Sequence, residues 1–252
     1  MKVTGIIPAR LHSSRLPEKL LLAQTGRPLL QYVWETASQC ADLDDVIVAA
    51  DSEQIADAVR TFGGRVELTG DHPSGTDRIA EVAERCCPDS DVIVNLQGDE
   101  PELESSTITE LVNSIRNSGS EMATVAAPFT NDSDVQSPDC VKVVLNDASE
   151  ALYFSRSVIP YPRDSSVQDV LSRLESPYLL HVGLYAFQRD FLMRLTGTPP
   201  SSLERLEKLE QLRALQMGAK ISVAVVREAA VGIDTAEDYA AFVTRTKNRA
   251  QN

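Results

Sequence analysis

Arg10, Arg15 and Lys19 stand within ten residues of one another, among small and polar residues, just after the apolar run Val3, Gly5, Ile6 and Ile7. Three cations on one loop suit a polyanion such as a triphosphate, because guanidinium forks bond phosphate oxygens in pairs and an ammonium acts as a point charge. The same residues also fit a solvated basic loop. Two acids are candidate partners for that cradle. Asp99 follows the apolar run Val92–Leu96 and Gly98, a place from which a carboxylate reaches a cleft as a hard oxygen ligand for Mg²⁺ or simply forms a turn. Its neighbour Glu100 reads as solvated. Asp234 precedes Thr235, Ala236 and Glu237, a capping-box-like helix start, so the pattern by itself gives it a structural role. The three histidines, His12, His72 and His181, have no metal-ligand spacing.

These residues need elements to hold them. Val3–Ile7, Val46–Ala50, Val66–Leu68 and Val92–Leu96 have the length and β-branched content of buried strands, the first stopping at Pro8. Helical spacing separates them. Pro28 opens a helix through Leu29, Leu30, Val33, Trp34 and Ala37. Asp51-Ser52 caps one through Ile55, Val59 and Phe62, closed by Gly63-Gly64. Ser74-Gly75-Thr76-Asp77-Arg78 leads into a third, through Ile79, Val82 and Ala83. This alternation predicts βαβ units on a mainly parallel sheet, with ligands beyond the carboxyl ends of the strands, where Arg10, Asp51, Ser74 and Asp99 fall. Neither GxGxxG nor GxxxxGK[ST] occurs, so the common dinucleotide and P-loop patterns are unsupported.

From about residue 121 the pattern loosens into strand-like runs at 122–129, 141–145, 151–155 and 181–187, with polar turn-rich residues at 131–139 and a Pro-containing loop at 160–177. This section reads as a smaller, more antiparallel subdomain. Ser201–Met217 is predicted as one helix whose Leu203, Leu206, Leu209, Leu212 and Leu215 recur every third position. Its apolar stripe therefore winds round the helix and is buried on more than one side. Ile221–Val226 is a last strand, and a final helix starts at Thr235.

At 252 residues, with 42% hydrophobic content, the chain can bury a sizeable core and belongs to the soluble globular class. It has no run approaching a membrane span and no signal-peptide pattern, so a cytoplasmic location is expected. A net charge of −13 argues against nucleic acid and makes the local Arg10–Lys19 cluster more informative. Cys40, Cys86, Cys87 and Cys140 lack CxxC spacing and suit reduced thiols.

The segments IIPARxxSSRLPEK, GRPLLQYVWE, SGTDR, VNLQGDEP, ALYFSR, HVGLYAF, LEKLEQLR and GIDTAEDY, in order over nearly the whole chain, resemble the 3-deoxy-manno-octulosonate cytidylyltransferase family, the CMP-Kdo synthetases. One departure is Leu20, where the family commonly has proline, a change that would loosen the loop around Lys19. The resemblance implies a Rossmann-like nucleotidyltransferase fold in one domain over 1–252, with an inserted dimerisation-type subdomain at about 121–190 and a homodimer. It implies magnesium-dependent conversion of CTP and Kdo to CMP-Kdo and diphosphate, by in-line attack of the sugar's anomeric hydroxyl on the α-phosphorus, for lipopolysaccharide biosynthesis. Such chemistry is mostly positioning and charge neutralisation, so no covalent nucleophile is expected.

By the same resemblance, Arg10, Arg15, Lys19 and Asp99 are catalytic, and Asp99 and Asp234 hold metal. Ala9, Arg10, Lys19, Ser74, Gly75, Arg78 and Gln97 bind the nucleotide. Gln97, Arg156, His181, Tyr185, Glu210 and Gln211 bind the sugar, Arg156 at its carboxylate. Read without the family, SGTDR is only a helix N-terminus, Arg156 a surface ion-pair partner and Tyr185 a core residue. A substituted Kdo as substrate, or a non-catalytic nucleotide-binding regulator, are the competing readings.

Overall fold

The computed structural model describes residues 1–172 and 177–249, which divide into two compact units, 1–109 with 230–249 and 110–229. In the first, β1 (Val3–Ala9), α1 (Leu29–Gln39), β2 (Asp45–Ala50), α2 (Glu53–Thr61), β3 (Arg65–Leu68), α3 (Gly75–Cys86) and β4 (Val92–Asn95) alternate strand with helix. All four strands are parallel in the order β3-β2-β1-β4, with Gly5 level with Val46 on one side and Val94 on the other. Val3, Ile6, Ile47, Val48, Ile93 and Val94 are almost fully buried, as expected of strands covered on both faces.

Pro8 does not end β1; the strand runs on to Ala9. Leu96 N donates to the Ile6 carbonyl, so the backbone polar groups of Ile6, and of Pro8 two residues on, face the β4 side. The pairing with β4 stops at Asn95 opposite Ile6, so the N–H that proline lacks would have had no ladder partner there. Ser52 alone caps α2, accepting from Ile55 N; Asp51 instead accepts from Leu11 N at 2.9 Å and so holds the start of the basic loop.

Helix α4 (Ser105–Ser118) carries the chain into the second unit. There follow β5 (Met122–Pro128), α5 (Asp132–Gln136), β6 (Lys142–Leu145), β7 (Ala151–Ser155), α6 (Val167–Leu171), β8 (Leu179–Gln188), α7 (Arg189–Thr196), α8 (Ser202–Glu207), α9 (Gln211–Gln216) and β9 (Ile221–Val225). Strand β5 pairs antiparallel with β8 and parallel with β9, and β6 pairs antiparallel with β7 and β8. The polar stretch 131–139 and the loop 160–177 each contain a short helix, α5 and α6, started by Asn131 and Ser166 side-chain caps; residues 173–176 of that loop lie outside the described residues.

The single helix predicted over 201–217 is two. A capping box of Ser201 and Glu204 starts α8, which ends at Lys208 in the left-handed conformation, φ 55°. The break also changes what the leucines do. Leu206 is 80% exposed, whereas Leu209 and Leu212 are buried, so no continuous stripe winds round one rod. Arg213, itself buried, donates from Nε and Nη2 to the Glu204 carboxylate at 2.9 and 2.6 Å and ties α9 to α8.

Finally α10 (Ala236–Arg249) returns to the first unit, packing Tyr239, Phe242 and Val243 with Leu29 and Ile233.

Candidate functional site

A cleft of about 390 Å³ opens where β1, β4 and α3 meet, lined by Pro8, Arg10, His12, Ser13, Ser14, Lys19, Leu20, Ser74, Gly75, Gln97, Gly98 and Asp99. It lies beyond the carboxyl ends of β1 and β4, at the N-terminus of α3, where backbone N–H groups and the helix dipole favour an anion. Gly98 packs closely against its neighbours. A Cβ there would lie 3.3 Å from Ile7 Cγ2 and from Leu30 Cδ1, and 3.4 Å from Leu20 Cδ2. Leu20 is itself buried, so it anchors the loop at Lys19 instead of loosening it.

Lys19 is the centre of the arrangement. Its Nζ donates to Asp99 Oδ2 at 2.5 Å, Asp234 Oδ1 at 3.0 Å and the Ile233 carbonyl at 2.9 Å. Burial alone would lower the Lys19 pKa, but Asp99 and then Asp234 outweigh it and the ammonium is held above its ordinary value. Arg15 Nη2 reaches the same Asp234 Oδ1 at 3.0 Å. The spacing of the two carboxylates is set by backbone, since Ile233 N donates to the Asp99 carbonyl at 2.9 Å. Arg245 on α10 also grips Glu102, three residues beyond Asp99, from Nε and Nη2 at 3.0 and 2.5 Å.

Asp234 does not cap α10. Thr235 does, accepting from Asp238 N at 3.1 Å, while Asp238 Oδ2 accepts from Thr235 N and Asp234 N. The cap lies one residue later than the sequence pattern indicated, and the Asp234 carboxylate points to Lys19 and Arg15.

Arg10 lines the cleft with a buried Nη2 that has no hydrogen-bond partner among the described residues. A buried guanidinium nitrogen left unpaired is costly, so it calls for an anion. Arg78 is placed differently: it is 2% exposed, and its Nη1 donates to Thr69 Oγ1 and, at 3.4 Å, to the Gly70 carbonyl. Burial, with Arg10 nearby and Asp51 offsetting, lowers its pKa. Arg78 thus braces the 69–70 turn and does not line the cleft. Ser74 is spent as the α3 cap, accepting from Asp77 N at 3.1 Å, whereas Ala9 is fully buried within β1. Glu100 is buried, not solvated; burial and then Asp99 push its pKa up to about 8, and its Oε2 has no hydrogen-bond partner among the described residues. The sequence reading missed Ser13, Ser14 and the Ile233 carbonyl. The hydroxyls sit inside the SSRLPEK run; a backbone acceptor leaves no sequence signal.

Four of the remaining candidates meet within the second unit. His181 Nε2 is 3.0 Å from Thr124 Oγ1 and its Nδ1 3.4 Å from Gln211 Nε2, while Tyr185 Oη donates to Gln211 Oε1 at 3.2 Å. A bulge makes this possible. Thr124 is level with Tyr185 and Val125 with Val182, so the register shifts by two residues of β8 between them. Residues four apart on a regular strand would be about 13 Å apart; here the His181 and Tyr185 rings are 5.5 Å apart. Burial drives the His181 pKa down to about 3, so the ring is neutral; burial and then Glu210 raise that of Tyr185. Arg156 stands apart from this group, its Nε donating to the Glu207 carbonyl at 2.7 Å and its Nη1 to the Pro138 carbonyl at 2.8 Å.

The sequence profile of the cytidylyltransferase family matches residues 4–221. This chain belongs to that family. A 3-deoxy-manno-octulosonate cytidylyltransferase of Rhodopirellula baltica is 44% identical over 99% of this chain and 100% of its own length, and one of Vibrio parahaemolyticus is 44% identical over 96% of each. Among solved structures, a CMP:2-keto-3-deoxy-manno-octonic acid synthetase complexed with CTP superposes with a TM-score of 0.89 at 39% identity, covering 100% of this chain and 99% of that one. A 4-diphosphocytidyl-2C-methyl-D-erythritol synthase from Anaerococcus prevotii shares the fold alone, with a TM-score of 0.62 at 16% identity over 100% and 96% of the two chains. This cytidylyltransferase therefore has the α/β nucleotidyltransferase fold, mostly parallel in its first unit and largely antiparallel in its second. Among the described residues no helix is long and apolar enough to cross a membrane.

Proposed function

We infer that this enzyme transfers a cytidylyl group from CTP to Kdo, giving CMP-Kdo and diphosphate. The observation that carries the reading is the meeting of Lys19 and Arg15 with Asp99 and Asp234 beside the unpaired Arg10 nitrogen. Arg10, Arg15 and Lys19 bind the β- and γ-phosphates and stabilise the departing diphosphate. The N-terminus of α3, with Ser74 and Gly75, faces the nucleotide, and Gln97 borders it. Within the second unit, His181, Tyr185, Glu210 and Gln211 hold the sugar, with Arg156 for its carboxylate. As the anomeric hydroxyl gives up its proton to solvent and its oxygen bonds to the α-phosphorus, the bond from that phosphorus to the bridging oxygen breaks, and the cations take up the charge left on diphosphate.

A magnesium ion fits the donor set. Asp99 Oδ2 and Asp234 Oδ1 already converge on one cationic atom, and Mg²⁺ is typically bound by one or two carboxylates plus substrate phosphates. Held by Asp99 and Asp234, it would supply charge neutralisation at the phosphoryl oxygens. We also place the enzyme in the cytoplasm, consistent with four free cysteines, and assign it a homodimer through the 121–190 region, where Leu152 and Tyr161 are 60% and 81% exposed. Sedimentation of the wild type and of Leu152→Asp checks the dimer.

Diphosphate release across the four nucleoside triphosphates, with and without Kdo, an amino-substituted Kdo and Mg²⁺, tests the reaction. Release from CTP that requires both Kdo and Mg²⁺ is expected. Release that is indifferent to the sugar, or faster with another nucleotide or with the substituted sugar, would contradict it.

A further inference from the structure

We propose that Lys19 is an internal competitor for the cation site, so that a divalent cation reaches Asp99 and Asp234 together only after the ammonium has left them. The inference rests on the reading of those two carboxylates as metal ligands. An ammonium has three N–H donors, and Lys19 spends all three on Asp99 Oδ2, Asp234 Oδ1 and the Ile233 carbonyl. Two of these are the carboxylate oxygens that the ligand reading gives to the metal. Magnesium sits about 2.0–2.1 Å from its ligands, whereas Nζ lies 2.5 and 3.0 Å from the two carboxylate oxygens. An ion seated between these same two oxygens would crowd the ammonium.

Charge balance points the same way. Two carboxylates facing Lys19 and Arg15 are already neutralised, so adding a divalent ion without moving a cation leaves a surplus of positive charge in a half-buried place. A triphosphate resolves the conflict, because it offers Lys19 and Arg15 other oxygens within the adjoining cleft. Nucleotide and metal then favour each other's binding, and by linkage the effect is reciprocal. The competition is unequal. Among the described residues the Asp99 carboxylate is held by Lys19 alone, whereas Asp234 is held by Lys19 and by Arg15, whose side chain is 66% exposed and whose grip is weaker for that reason.

Mn²⁺ alone, without nucleotide, is the probe, read by electron paramagnetic resonance of the free ion. Wild type, Lys19→Met, Arg15→Met, Asp234→Asn and Lys19→Met/Asp234→Asn are compared, with thermal melting as the check on folding. Lys19→Met should bind Mn²⁺ at least about tenfold more tightly than wild type, within the range usual for coupled sites, and Asp234→Asn should abolish the gain. Equal or weaker binding by a folded Lys19→Met overturns the proposal. Should that variant not fold, Arg15→Met decides: a gain of about twofold is expected, and no gain overturns it. If wild type and Lys19→Met bind equally tightly and both lose Mn²⁺ on Asp234→Asn, the carboxylates stand as ligands and the competition is wrong. If no protein shows Asp234-dependent binding, the competition is equally wrong, and the Mg²⁺ dependence of turnover in Asp234→Asn decides separately whether the ligand role falls too.

Discussion

The cluster around Lys19 and the group around His181 solve the same problem, holding polar side chains in fixed places, by opposite means. Around Lys19 the groups are ionised, opposite in sign and partly open to solvent, so their geometry depends on charge balance. Around His181 they are neutral and packed: a histidine that burial keeps unprotonated, a tyrosine kept protonated, and an amide that touches both. Ionised groups grip and release charge. Neutral donors and acceptors in fixed positions discriminate by shape and by the cost of an unmade hydrogen bond. A reaction that moves phosphoryl charge onto a leaving group while selecting one sugar has use for both.

Substitutions should separate the two regions. The largest effect is expected at Lys19. Lys19→Ala should lower kcat/KM for CTP by about 10²–10³-fold, as for loss of one preorganised charge-stabilising donor, with the melting temperature little changed. Gln211→Ala should instead raise KM for Kdo by roughly tenfold, the scale of one lost hydrogen bond at about 1–1.5 kcal/mol, while KM for CTP stays put. Equal effects on both substrates would erase the distinction between the regions.

Acid should also tell them apart. His181 has a folded pKa near 3 against an ordinary 6.5, so between those values the unfolded chain binds a proton that the folded one does not. Its contribution to stability is complete above pH 6.5 and is lost as pH falls toward 3. Denaturant titrations over that range should show a pH slope that flattens in His181→Gln. The smallest effect is at the cap. Thr235→Ala should cost about 1 kcal/mol of stability, the usual value of an N-cap hydroxyl, and leave turnover nearly intact.

The parallel half of the fold was legible because each strand is a short β-branched run and each helix brings its own period, with a cap or a proline at its start. Ser52 and Ser74 cap as their positions indicate. What failed to show was decided by single residues. Lys208 turns left-handed between two helices that a leucine repeat had joined. Pro8 continues a strand because the neighbouring strand has ended, a fact of register invisible to local pattern. The cap of α10 slipped by one residue, since Asp-Thr and Thr-Ala-Glu-Asp are both acceptable starts; tertiary contact with Lys19 draws the aspartate elsewhere.

In the site, the motifs named Lys19, Asp99 and Asp234 but gave no hint that one ammonium bridges both acids. Glu100 was misread because charge predicts exposure, and it is buried. The His181 group needed a two-residue bulge whose only trace in the chain is Gly183, too little to place a register shift.

One measurement bears most directly on the pairing of cations with carboxylates: the Mg²⁺ dependence of diphosphate release by Asp234→Asn, with its melting temperature beside it. A fall in kcat/KM of roughly a hundredfold or more, with the Mg²⁺ requirement shifted to higher concentration and melting unchanged, is the result expected of a metal-holding carboxylate. Wild-type turnover at wild-type Mg²⁺ would contradict it, and so would a lowered melting temperature with the rate preserved, the mark of a residue that only supports the fold.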